Sequence, residues 1–142
     1  MTRKASDRQL ILLTLKNSAQ GTIEGRTRLQ KLVYLLKKAY GFNFSYKFTP
    51  YLYGPYCPDL QTDIDFLVSL GLVEEFHEVT TSGIRHNYQL TKSGRELAQT
   101  IESKYGKQRK LAKNAAELSQ STTGFLIFAS KTLSATTPDT ES

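Results

Sequence analysis

One cysteine in 142 residues, Cys57, excludes an internal disulfide. With only His77 and His86 to join it, a metal cluster of the usual Cys/His type is out of reach, and no metal or other cofactor is expected. Long apolar runs are also lacking. Gly124 to Ala129 falls far short of the roughly 20 residues that a membrane helix needs, so no membrane association is expected. Leu10 to Leu13 is too short for a secretion signal core and Met1 to Arg8 is polar, so no export signal is read and a reducing cytoplasm is expected. No nucleophile-elbow, phosphate-loop, zinc-protease or dinucleotide-binding spacing occurs. Cys57 has no histidine that the sequence places beside it, so the chain does not read as an enzyme.

What is present is charge, unevenly spread. The chain carries a formal +6, which favours nucleic acid or another acidic partner and says nothing about fold. Residues 26–47 hold six bases and no acid. Residues 48–79 hold six acids and no base. Residues 104–117 hold five bases against Glu117.

The periodicity divides the chain into short elements. Asp7 to Ser18 is predicted to be helical, with Ser6 or Asp7 as N-cap. Arg26 to Tyr40 is the clearest helix: Leu29, Leu32, Val33, Leu36 and Tyr40 share one face. Tyr40, Phe42, Phe44, Tyr46 and Phe48 then alternate at strand period, and prolines make Tyr51 to Pro58 a loop. Asp59 to Leu70 is predicted as a third helix burying Leu60, Ile64 and Leu67, with Pro58 in a first-turn position. Leu72 to Val79 and His86 to Leu90 read as a hairpin turning at Thr80 to Gly83, and Thr91 or Ser93 caps a helix from Gly94 to about Tyr105. Residues 106–133 read as a C-terminal helical extension and 134–142 as a disordered tail.

A hairpin that follows directly on a third helix is a wing arrangement. The expected fold is therefore α+β and mostly helical: a winged helix-turn-helix over 1–105, with an aromatic strand and loop inserted before the third helix. Leu67 to Val73 and Leu90 to Gly94 resemble the helix-to-wing turn and strand end of MarR and PadR regulators. Gly25 to Leu36 with Tyr53 to Leu60 resembles the YwgA-like uncharacterised prokaryotic proteins and, distantly, the Panacea antitoxin domain. These likenesses imply a prokaryotic winged helix; the family's activity is largely unassigned.

The leading expectation is a homodimeric transcriptional regulator that binds double-stranded DNA. Its phosphate contacts would come from Arg26, Arg28, Lys31 and Lys38 on the second helix. Gln61, Thr62, Asp65 and Ser69 form the outward face of the third helix, where Gln61 and Asp65 are chemically able to read base edges. Arg85 and His86 are placed at the wing tip, and Lys107, Arg109, Lys110 and Lys113 on a basic C-terminal segment. The third helix carries three aspartates and no base, which suits an alternative: a module that binds a partner protein through Tyr53, Tyr56, Asp59, Asp63 and Asp65. Asp59 and Asp63 are expected to meet basic residues of the second helix.

Overall fold

The computed structural model describes residues 6–18 and 21–104. They form an α+β fold in the order α1 (Asp7–Lys16), β1 (Thr22–Glu24), α2 (Arg26–Ala39), β2 (Thr49–Tyr51), β3 (Gly54–Tyr56), α3 (Pro58–Ser69), β4 (Val73–Thr80), β5 (Gly83–Leu90) and α4 (Lys92–Lys104). The helical extension, the tail and the basic residues Lys107, Arg109, Lys110 and Lys113 lie outside the described residues.

α1 starts on a reciprocal capping box: the Ser6 hydroxyl accepts from the Gln9 N–H, and the Gln9 side chain accepts from the Ser6 N–H. Leu10 to Leu15, Thr14 included, are all buried, so the second half of this helix is covered on every side. It packs against α3, α4 and the sheet. Lys16 and Asn17 at its end grip Glu102 of α4 at 3.0 and 3.1 Å. α2 buries Leu29, Leu32, Val33 and Leu36 as its spacing predicts, and α3 buries Leu60, Ile64 and Leu67.

The sheet order is β1-β5-β4, antiparallel throughout. Gly71 turns α3 into β4 at φ +75°, a conformation open to glycine at no steric cost. The Leu72 N–H then bonds back to the Leu67 carbonyl, closing the helix end. Thr91 joins this turn to α4: its hydroxyl donates to the Gly71 carbonyl at 2.6 Å and accepts from the Gly94 N–H at 3.0 Å. The two motifs that stood out in the sequence therefore meet in space.

Three expectations change. Phe42 to Phe48 keeps the predicted alternation, with Phe42, Phe44 and Tyr46 buried, but it forms no strand. Its neighbours are helices, which offer no free ladder edge. Side chains hold it instead: Asp7 accepts from the Ser45 N–H at 2.8 Å, and the Tyr46 hydroxyl donates to Asp63 at 2.5 Å. The proline-rich stretch is not a loop but a second hairpin, with Pro50 facing Pro55. Neither proline has an N–H to offer, so the ladder bonds fall to the flanking pairs. Finally, the β4–β5 hairpin is longer than expected. Thr80 pairs with Gly83, and the turn is only Thr81–Ser82. Arg85 and His86 thus lie within β5 rather than at the tip, which carries exposed Val79 and Ile84.

Candidate functional site

The N-terminus of α2, the middle of α3 and one face of the β4–β5 hairpin converge on Tyr88. Its ring is fully buried, and its hydroxyl accepts from Arg26 Nε at 3.1 Å and Gln61 Nε2 at 3.2 Å. Burial raises the Tyr88 hydroxyl above its ordinary pKa, while the bond to Tyr88 raises the Arg26 guanidinium. Gln61 also donates to Asp65 at 2.9 Å. Arg26 reaches Glu75 at 3.5 Å. The same Glu75 oxygen lies 2.8 Å from His86 Nδ1 and 3.4 Å from His77 Nε2. The two imidazole rings meet edge to face, 4.5 Å between centroids.

The register explains this gathering. Glu75 and His77 are two apart on β4, so they share a face. Tyr88 is directly opposite Glu75, and His86 is opposite His77. Gly25, the residue before α2, donates its N–H to the His86 carbonyl at 3.0 Å, which fixes the helix start against β5.

On the other face, Arg85 bonds Glu78 at 2.6 Å and reaches Glu24 at 3.5 Å. Asn87 donates to the same Glu78 at 3.0 Å. Arg85 and Asn87 hold the Glu78 carboxyl below the ordinary carboxylate range, and Glu78 raises Arg85 in return. An open groove of about 710 Å³ runs between the start of α2 and the outer half of the hairpin. Arg26, Arg28, Lys31, Arg85 and His86 line it against one carboxylate, Glu24.

The structure therefore brings Arg26, Gln61, Asp65 and His86 into one network, and Arg26, Arg28, Lys31, Arg85 and His86 into one groove. Lys38 does not join them. It lies ten residues beyond Arg28, about 15 Å along the helix. Thr62 and Ser69 are exposed but bonded to their own helix, to the Pro58 and Phe66 carbonyls. Asp59 is exposed at the first turn of α3. Asp63 does not meet α2: it takes Arg8 of α1 at 3.0 Å as well as Tyr46. Two helices and the aromatic segment share that carboxylate, so it is committed to the fold. Tyr53 and Tyr56 border a shallow cleft beside Gln30 and Arg26. Glu75, His77 and Tyr88 were missed as site residues although a turn at Thr80 to Gly83 already sets His77 opposite His86 and Glu75 opposite Tyr88; the hairpin pattern does not carry which face lies against Arg26 and Gln61.

Among the described residues no helix is long and apolar enough to cross a membrane. No protein-family model and no solved structure matches the chain. Over 77 residues it is 38% identical to the uncharacterized protein YwgA of Bacillus subtilis (strain 168), a match covering 54% of this chain and 46% of that protein. The chain thus spans about half the length of the curated relative it matches, and over that span it is similar to a YwgA-like prokaryotic protein.

Proposed function

We propose that the chain is a winged helix-turn-helix protein that binds double-stranded DNA as a homodimer and regulates transcription. The observation that carries this reading is the basic groove between the α2 N-terminus and the hairpin. The element order, with β1 closing onto a hairpin that follows the third helix, supports it. On this reading β4–β5 is the wing and α3 faces the major groove. Thr62 and Asp65 of α3 are exposed, but the helix has no base, so the grip comes mainly from Arg28, Lys31 and Arg26 on phosphates.

Fluorescence anisotropy against duplexes from the protein's own upstream region, repeated across salt, tests this. Affinity falls with salt, each phosphate contact adding roughly 0.9 to the log–log slope. Arg28→Ala with Lys31→Ala lowers that slope by about 2 and weakens all sequences alike. Sedimentation velocity reports the dimer.

A second reading has its own support: Tyr51, Leu52 and Tyr53 stand out at the tip of the β2–β3 hairpin, with Leu52 83% exposed, and Asp59 and Asp65 face solvent. A winged helix that binds a partner protein uses such a surface. No DNA binding at low salt eliminates the first reading in favour of this one.

A further inference from the structure

We infer that Glu75, His77 and His86 form a binding site for one divalent transition-metal ion of the zinc class. Their donor atoms all lie within 4.8 Å of one another. Donors around a tetrahedral zinc, at about 2.0–2.1 Å from it, stand about 3.3 Å apart. His77 Nε2 already lies 3.4 Å from the Glu75 oxygen, and His86 Nδ1 lies 2.8 Å from it. The remaining gap, between the imidazole nitrogens, closes by rotation of His77, whose side chain is 59% exposed. Glu75 and His86 are the fixed part, their side chains only 18% and 27% exposed.

The donor chemistry selects the ion. Two imidazoles and one carboxylate favour zinc, nickel or copper over magnesium and calcium, which want oxygen. Three protein ligands also leave a fourth position open. The scaffold is a pair of hydrogen-bonded strands rather than a loop, so the three side chains are delivered to one face by register.

Arg26 is the obvious competitor, since its guanidinium touches the same Glu75 oxygen at 3.5 Å. It does not depend on that contact. Its shorter bond is to the Tyr88 hydroxyl at 3.1 Å, and Asp65 also attracts it. Release of Glu75 to a metal therefore leaves Arg26 with partners.

The test is calorimetric titration of the untagged full chain with zinc chloride. The chain's two histidines are both in the site, so no other imidazole contributes background. One zinc per chain is expected, not displaced by excess magnesium. His77→Ala and His86→Ala each weaken binding by more than the roughly 10–100-fold that loss of a merely supporting residue costs. Cobalt loaded in place of zinc gives visible absorption bands, and these disappear in the double variant. Far-UV circular dichroism checks folding; if the double variant unfolds, the exposed His77→Ala alone carries the test. No stoichiometric zinc binding, binding that survives His77→Ala, or binding lost instead in Cys57→Ser overturns the assignment.

Discussion

Single atoms decide several outcomes here. Gly94 sits in the first turn of α4, where alanine ordinarily gains about 1 kcal/mol over glycine. A Cβ at Gly94 would lie 1.9 Å from the Leu72 carbonyl oxygen, which is backbone in the turn between α3 and β4. Overpacking of this kind costs roughly 1–3 kcal/mol and sometimes more, so sterics outweigh propensity. Gly94→Ala should lower the urea midpoint by an amount equivalent to about 2 kcal/mol or more. Tyr46 is the second case. Burial, first, and then its bond to Asp63 push its hydroxyl well above the ordinary tyrosine range. Tyr88 is raised as well, chiefly by burial. Above about pH 10 the unfolded chain releases these protons and the folded chain keeps them. Their contribution to stability is therefore complete below pH 10 and declines as pH rises beyond it, by at most about 1.4 kcal/mol per pH unit for each group. Melting temperatures measured up the alkaline range should fall, and Tyr46→Phe should flatten that fall.

At the scale of elements, α3 is aimed by one side chain of α2. Gln30 is 3% exposed, and its amide acts like a peptide toward Cys57. It donates to the Cys57 carbonyl at 3.0 Å and accepts from the Cys57 N–H at 2.8 Å. Cys57 precedes α3, so the clamp sets where that helix begins. Gln30→Ala strands the Cys57 N–H and leaves the Cys57 carbonyl only the Leu60 N–H at 3.2 Å, so a loss of about 1–3 kcal/mol should show in chemical denaturation. Cys57 itself is buried and free, and a buried thiol packs as a small apolar side chain. The helices were legible in the sequence because 3.6-residue stripes such as Leu29, Leu32, Val33 and Leu36 depend only on neighbours within the element. The aromatic segment was legible as alternation but not as a strand, since a ladder depends on what lies alongside. Gln30 left no trace, because its partner is a backbone peptide 27 residues away.

For the whole molecule, charge is sorted more sharply than the sequence blocks suggest. The acidic block of residues 48–79 does not stay together. Asp63 turns inward to Arg8 and Tyr46, Glu75 faces the imidazoles, and Glu78 pairs with Arg85 on the opposite face of the hairpin. The basic residues at the start of α2 remain along the groove. Half of the candidate site was readable from sequence: Arg26, Arg28, Lys31 and Arg85 stood out as charge. The other half, Glu75, His77 and Tyr88, had its register implicit in the turn at Thr80 to Gly83, but the packing of that hairpin face against Arg26 and Gln61 depends on α2 and α3, which the hairpin pattern does not carry.

The sheet also imposes an order of events on synthesis. β1 is made early but has no partner until β5 appears, with Thr22 meeting Gln89 and Glu24 meeting Asn87. A nascent chain must carry its first strand unpaired while α2, the β2–β3 hairpin and α3 emerge, so local helices form first and sheet closure comes late. Until Leu90 has left the ribosome, the apolar helix α1 lacks both the finished sheet and α4 as cover. Chaperone contact during translation would therefore centre on the stretch from Leu10 to Leu15.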